Sequence, residues 1–451
     1  MKCIEEEIPF ELPEGWEWCR LINICSKLID GDHNPPKGED TVTQYLMLSS
    51  TNINNDTLVE LEKVRYLSKD IFDKENQRTD VNIGDIFFTS VGSIGRSCVY
   101  TGGFNICFQR SVSVIRTFIL NEYLKRYLDA PFIQNKIARE ATGTAQKGFY
   151  LNQLSNCLIA VPPINEQQKI ANAVNKLMEY IVSIETDKTT LQDLIKQTKF
   201  KILDLAIRGK LVPQDPNDEP ASVLLERIST EKEELIKQGK IKRDKKESVI
   251  FKGEDNSYYE KYHDGKLHCL DDELPFELPK GWEWCNLSMI GSTNIGLTYR
   301  PTDIVTDGVI VLRSCNIVND QIDLNDLVRV QTTIRDNQFA QENDILICAR
   351  NGSKALVGKC ALIPDFGEQA SFGAFMAIYR TKFYEYIVHF IRSNYFRSIF
   401  DDSNSTAINQ LTQDMLKRAI VPFPPLTEQY RIVTAIKLMM TELNQIEKSL
   451  N

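Results

Sequence analysis

A few stretches of this chain carry residue types that could do chemistry. "HNPPK" (33–37) contains Asn-Pro-Pro. An adenine-N6 methyltransferase uses Asn/Asp-Pro-Pro followed by an aromatic residue, which stacks on a flipped base. Here the following residue is Lys37, and no glycine-rich strand-to-helix turn precedes it. "GSKALVGKC" (352–360) has the outline of a phosphate-binding loop, but five residues separate its glycines and it ends Lys-Cys. It therefore lacks the required spacing and the hydroxyl for Mg²⁺. Four histidines (33, 263, 268, 389) are scattered, and the eleven cysteines include no C-x-x-C pair. That is no metal pattern; free, mostly buried thiols are expected. No carboxylate pair followed by lysine suggests a nuclease centre. The residues thus point to a protein that binds and does not catalyse.

The elements that position such residues occur twice. "FELPEGWEWC" (10–19) returns as "FELPKGWEWC" (276–285), and these stretches hold all four tryptophans. The echo continues in order. "YLMLSSTNI" (45–53) answers "VIVLRSCNI" (309–317), "GDIFFTS" (84–90) answers "NDILICA" (343–349), and "SVIRT" (113–117) answers "AIYRT" (377–381). "AVPPINEQQKI" (160–170) answers "PFPPLTEQYRI" (422–432). A period above 250 residues is too long for a solenoid. It is a tandem duplication of one domain-plus-helix unit. Pro13-Glu14-Gly15 suits a tight turn. Trp16 and Trp18, two apart, are expected on one strand face as core. The polar residues between the shared cores differ, as in "DGDHNPPKGED" (30–40) against "IGLTYRPTDIV" (295–305). One scaffold with two targets explains that pattern.

Residues 165–208 contain no Pro or Gly. Ile170, Val174, Leu177, Ile181, Ile184, Leu191, Ile195, Ile202 and Leu205 fall at alternating 4-3 spacing, interrupted only at Lys188 and Thr198. This predicts a coiled-coil seam on a helix of roughly 66 Å. Ile432, Ile436, Met439, Leu443, Ile446 and Leu450 supply a second seam. Prolines 213, 216 and 220 end the first rod; a short helix over roughly 221–238 and a polar, mobile linker follow. The linker carries Lys240, Lys242, Arg243, Lys245 and Lys246, a run read as solvated, with a role near phosphates as the alternative. The predicted fold is α+β. A first mixed α/β globule spans 1–163, a central helix 164–208, the short helix and linker 209–272, a second globule 273–425 and a shorter helix 426–451. The second seam supplies a partner for the first, helix against helix.

The 451 residues suit about three domains. Hydrophobic residues make up 42% and charged residues 25%, as in soluble globular proteins. No apolar run approaches the ~18 residues of a membrane span, and "MKCIEEEIPF" has no signal-peptide core. A cytoplasmic protein is expected. The net charge of −9 argues against wholesale nucleic-acid binding, yet it is uneven. Residues 1–77 hold 8 basic and 16 acidic side chains, whereas 78–147 hold 9 and 5.

The Pro-x-Gly-Trp opening, "TGTAQKGFYLNQL" (142–154), "VPPINEQQKI" (161–170) and "AIRGKLVPQDPNDEPASVLLERI" (206–228) together resemble the specificity subunit of type I restriction–modification systems. The resemblance spans essentially the whole chain. It implies two target-recognition domains, each reading half of a split, asymmetric DNA site, and two long helices that pair as an antiparallel coiled coil and act as a ruler. It implies two modification (methyltransferase) subunits and two restriction subunits as partners. S-adenosylmethionine, ATP and Mg²⁺ are then expected on those partners and none on this chain. The chain departs from the pattern at its end, where no "GKLVP" counterpart follows the second rod. Two arrangements stay open: a partly paired rod, or one completed by another subunit.

Base readout takes Arg or Lys to guanine and Asn or Gln to adenine. On that basis the expected DNA contacts of the first domain are His33, Asn34, Lys37, Arg96, Gln109, Arg110, Gln146 and Lys147. Those of the second are Tyr299, Arg300, Arg350, Asn351, Lys354, Lys359 and Asn404. Arg96 ("IGR") and Lys359 ("VGK") occupy matching places, which suits phosphate contact. Readers held on a rod should sit about one duplex turn apart, roughly 34–36 Å. The alternatives are a protein-binding coiled-coil scaffold and a stand-alone DNA methyltransferase or nuclease.

Overall fold

A computed structural model describes residues 4–143, 147–243, 248–262, 264–401 and 410–450. The chain forms two compact units, Met1–Thr186 and Asp187–Asn451.

In the first unit a short antiparallel pair, Glu17–Arg20 with Leu158–Val161, brings the two ends of the module together. Between them lies a four-stranded antiparallel sheet in the order Cys25–Asp30, Val112–Thr117, Ile86–Thr89, Ser97–Val99. A second sheet pairs Tyr45–Leu48 antiparallel with Arg65–Leu67 and parallel with Asn105–Phe108. Helices Asn121–Asp129 and Pro131–Glu140 cover one side. The core strand Ile86–Thr89 is buried along its whole length, so it reads as a continuous apolar run without alternation.

The second unit repeats this plan. Glu283–Asn286 pairs with Ile420–Phe423, and the four-stranded sheet runs Ser292–Ile295, Met376–Arg380, Ile345–Cys348, Cys360–Leu362. Val309–Leu312 lies parallel to Ala370–Phe372.

The decapeptide has the same function in both modules. Gly15 and Gly281 take φ of 84° and 87°, a conformation that strains any residue with a Cβ. Phe10 packs on Trp18 and Phe132 at 5.0 and 5.5 Å between ring centroids. Phe276 packs likewise on Trp284 and Tyr395 at 5.1 and 6.0 Å. The expectation of one shared strand face needs correction. Trp16 and Trp282 precede their strands, and in the second module the two indoles enter different clusters. Trp282 joins the core beneath the helices, while Trp284 meets Ile250 and Leu270.

The Asp of "GDIFFTS" and "NDILICA" and the Arg of "SVIRT" and "AIYRT" form one ion pair built twice. Arg116 Nε and Nη2 donate to Asp85 Oδ1 and Oδ2 at 2.8 and 2.9 Å. Arg380 donates to Asp344 at 2.7 and 2.6 Å. Both carboxylates are only 1% exposed.

The first long helix runs Ile164–Ile207 and the second Leu426–Ser449. Within the second unit they are antiparallel. Lys199 Nζ donates to Glu447 Oε2 at 2.6 Å, and Ile202, Leu203, Ala206 and Ile207 share a core with Ile432, Val433 and Ile436. Gly209 ends the first helix at φ 63°. Lys210 N–H donates to Leu205 O and Gly209 N–H to Ala206 O, the glycine-capped ending that satisfies terminal carbonyls.

The predicted seam is only partly buried. Ile195, Ile202, Ile432 and Ile436 are buried, and Ile170, Val174, Leu205, Leu443 and Leu450 are half-buried. Leu177, Ile181, Ile184, Leu191, Met439 and Ile446 are exposed. Length is one reason: 24 residues make about 36 Å of helix. Much of that helix is spent on the core of its own module.

The polar linker is also corrected. After helix Ala221–Lys237 the chain forms an antiparallel meander, Ser248–Lys252, Tyr258–Tyr262, Leu267–Cys269. Tyr258, Tyr259 and Tyr262 supply β-favouring bulk. Ile250 and Leu270 bury against Trp284, and Asn286 Nδ2 donates to Ser248 O at 3.1 Å.

Ten described cysteines are free thiols; Cys269 and Cys315 are exposed. Burial pushes Cys98 and Cys107 up to about 12, which leaves them as unreactive apolar fillers.

Candidate nucleic-acid interface

Both modules make one backbone socket, and it is built from a chain crossing. After Cys25–Asp30 the chain passes over the turn 109–111. Gly31 N–H donates to Val112 O at 3.0 Å and Asp32 N–H to Phe108 O at 2.7 Å. In the second module Gly296 N–H donates to Met376 O at 3.2 Å and Leu297 N–H to Phe372 O at 2.6 Å. A Cβ on Gly31 would lie 2.2 Å from Phe108 O, and one on Gly296 would lie 2.1 Å from Gly373 O. Only glycine permits this approach.

The turns match as well. Val112 N–H closes on Gln109 O at 3.1 Å, and Met376 N–H on Gly373 O at 2.8 Å. Ser111 O accepts from Ser90 and Val91, and Phe375 O accepts from Ala349 and Arg350. Val91 bridges to Gly148, and Arg350 to Gln410. These bonds align the positions one by one. Asp32 matches Leu297, Asn34 matches Tyr299, Val91 matches Arg350, and Ser111 matches Phe375.

The first socket is a polar cleft of about 270 Å³ lined by Asp32, His33, Pro35, Ser50, Val91, Gln109, Arg110 and Ser111. His33, Gln109 and Arg110 are thus brought together. Asp32 Oδ1 accepts from Asn34 N–H at 2.5 Å and fixes the loop, while Arg65 Nη1 donates to Pro36 O at 2.5 Å and pins its far side. Asn34 and Lys37 stand exposed on this loop, and Lys147 is exposed next to Gly148. Burial, with the neighbouring Asp32 carboxylate, pushes Glu75 above the usual carboxyl range. Behind the cleft Ser113 Oγ donates to Asp30 Oδ1 at 2.5 Å. Burial holds Asp30 up as well, although that hydroxyl works against it.

Arg96 lies outside the cleft lining. It is exposed on the hairpin after Ile86–Thr89, and its carbonyl accepts from Thr89 N–H at 2.9 Å. Lys359 O accepts from Cys348 N–H at 2.8 Å, so the two residues occupy one structural position.

In the second socket Arg350 is exposed, with its guanidinium carbon 5.5 Å from the centroid of the Phe375 ring. Asn351 Nδ2 reaches Ser314 Oγ at 3.5 Å, and its Oδ1 accepts from Ser353 N–H at 3.0 Å. Arg300 and Lys354 are exposed. Tyr299 is half-buried against Leu297, Val311 and Val330. Gln146 and Asn404 lie outside the described residues.

Sequence reasoning missed Asp32, Ser50, Ser111 and Phe375. Asp32 sat beside the chosen His33 but carries the charge least expected near DNA. Phe375 reads as core in a list of residues, yet it is 60% exposed. Its spacing before "AIYRT" was the available signal.

Comparison with known proteins agrees with this plan. The family described as the type I restriction modification DNA specificity domain matches residues 13–193 and 279–451. The chain belongs to this family. It is 27% identical to the type I restriction enzyme EcoAI specificity subunit of Escherichia coli, over 98% of this chain and 80% of that protein. It is 35% identical to the EcoEI specificity subunit of Escherichia coli, over 56% of this chain and 40% of that protein. The HsdS subunit from Thermoanaerobacter tengcongensis shares the fold at TM-score 0.55 and 16% identity, covering 99% of this chain and 94% of that one. A chain solved in work on complex assembly and conformational transition of the type I R-M system matches at TM-score 0.60 and 18% identity, covering 98% and 94%. No described helix is long and apolar enough to cross a membrane.

Proposed function

We propose that this chain is the non-catalytic DNA specificity subunit of a type I restriction–modification complex. Each module reads one half of a bipartite, asymmetric site. The observation that carries this reading is the pair of sockets: one backbone with unlike side chains. A reader needs a fixed frame and exchangeable base-contacting groups. Asp32, His33, Gln109 and Arg110 in one socket, against Arg350 and Phe375 in the other, meet that need with different chemistry.

The antiparallel helices fix the gap and present exposed apolar residues, Leu177 and Ile184 among them, to two modification and two restriction subunits. S-adenosylmethionine, ATP and Mg²⁺ belong to those partners. The partners also contribute much of the attraction to phosphate, since this chain is net acidic. The complex works in the cytoplasm.

Selection from a random double-stranded DNA library, with this chain co-purified with its modification subunit, tests the reading. Two unlike motifs at one fixed gap are expected. An intact complex that selects no motif would overturn DNA reading in favour of a protein scaffold.

A further inference from the structure

Phe375 is a large apolar side chain held out of the core on a rigid turn. Its carbonyl accepts two N–H bonds, from Ala349 at 2.9 Å and Arg350 at 3.0 Å. Gly373, two residues earlier, closes the turn by accepting from Met376 N–H. The ring itself is 60% exposed. The Arg350 guanidinium lies beside it, 5.5 Å from the centroid, a contact that restricts both groups. The turn fixes where the ring leaves the backbone, and the ring faces water with Arg350 at its side. A solvated aromatic costs the free protein apolar exposure that a docked surface would relieve.

The position indicates what covers the ring. Phe375 stands where Ser111 lines the polar cleft of the first module, as the matching bonds to Ala349/Arg350 and Ser90/Val91 require. Given that these sockets read DNA, the ring faces base edges. A phenyl ring has no N–H or O–H donor, and its face is only a weak acceptor for a base amino group. In the major groove the one apolar mark on a base edge is the thymine 5-methyl group. We infer that Phe375 is a specificity-determining residue of the second module, that it reads a thymine by covering this methyl group, and that Arg350 positions the ring. This assignment rests on the DNA-reading function proposed above.

The test uses the chain assembled with its modification subunit, on the duplex recovered by selection. Each thymine of the second half-site is replaced in turn by deoxyuridine, which removes only the methyl group. At one thymine the wild-type complex should lose affinity about fourfold, the size expected for one methyl group left in water. Phe375→Ser should bring that thymine-to-deoxyuridine ratio to about one, while Phe375→Leu retains part of it. The unfolding temperature should be unchanged in both, since the ring is solvated.

A ratio that stays near fourfold in Phe375→Ser overturns the assignment. So does a second half-site without thymine, or one in which no thymine is sensitive. Loss of binding in Phe375→Ser with equal loss on thymine and deoxyuridine DNA also overturns it and makes the ring a wedge between base steps. Failure of the wild-type complex to select any second motif is a separate result: it removes the DNA-reading function itself, and this assignment with it.

Discussion

Trp282 Nε1 donates to Glu428 Oε2 at 2.9 Å, joining the tight turn that opens the second module to the first turn of the helix that leaves it. Trp16 and Glu166 make the same bond at 2.8 Å in the first module. The following glutamine completes the joint. Gln167 Nε2 donates to Pro162 O at 2.8 Å, and Gln429 Nε2 to Pro424 O at 2.9 Å. The repeated Trp and the repeated Pro-Pro-x-x-Glu-Gln are therefore two halves of one hydrogen-bonded connection between globule and rod. Glu428→Ala leaves a buried indole N–H without an acceptor, which costs about 1–3 kcal/mol. Glu166→Ala should cost less, because Trp16 is only half-buried. Denaturant unfolding of the two variants checks both the loss and its order.

The paired arginine–aspartate forks predict a larger effect. Asp85 and Asp344 are buried to 1% exposure and each receives two guanidinium bonds. Removing the arginine alone strands a buried carboxylate, at about 3–5 kcal/mol. Arg380→Met should therefore destabilise the second unit strongly, whereas Arg380→Met with Asp344→Leu should recover much of the loss. Thermal unfolding of single and double variants decides this. A double variant no better than the single would show that the pair contributes shape, not charge balance.

Two carboxyls at the start of the second rod, Asp218 beside it and Glu428 within it, should respond to pH in opposite directions. Arg431 donates to Asp218 at 3.2 and 2.5 Å, and these bonds, with the Thr427 hydroxyl, hold the Asp218 carboxyl below its ordinary range. A depressed folded value means the stabilisation is present above the unfolded value of ~3.9 and is lost as pH falls through the folded one. Glu428, in the first turn of the second rod, is pushed up by burial despite the donating indole. Its contribution is full below the unfolded value of ~4.3 and falls as pH rises through the folded one. Relative to wild type, Asp218→Asn should be most destabilised near pH 7 and converge with it in acid. Glu428→Gln should gain on wild type as pH rises. Unfolding midpoints measured from pH 3 to pH 7 test both signs.

The duplication, the helix from Ile164 and the short helix from Ala221 were legible in the sequence, because each rests on local signals. These are repeated decapeptides, a proline-free heptad run, and the glycines at 209 and 239 that end helices at φ 63° and 69°. The extent of the seam was not legible. Leu177 and Ile446 have the same spacing as Ile202 and Ile436, and only the three-dimensional path decides which are covered. The meander from Ser248 to Cys269 was hidden because its short strands lie among charged residues and bury few side chains. The socket was half legible. His33, Gln109 and Arg110 were chosen for their hydrogen-bonding groups and do converge. The match of Ser111 with Phe375 showed in the sequence only as equal spacing before "SVIRT" and "AIYRT", with nothing in residue type to mark it.

The final prediction separates base contacts from phosphate contacts. Gln109 and Arg110 line the first cleft, on a turn whose backbone is locked to Leu48, Asp32 and Val112. Arg96 and Lys359 sit at one equivalent hairpin position outside it. A side chain that reads a base edge should matter for one sequence position, and a side chain that meets phosphate should matter equally for all. Arg110→Ala and Gln109→Ala should each cost about 1–3 kcal/mol on the selected site and relax preference at one position of the first half only. The second half of the motif should be untouched, because its socket is built from the other module. Arg96→Ala and Lys359→Ala should weaken binding evenly across sequences and lower the salt slope by about 1. Selection repeated with each variant, with affinities taken at several salt concentrations, distinguishes the two classes. If Arg96→Ala instead altered one base position, the hairpin would have to enter the groove, and the cleft would be only part of the reader.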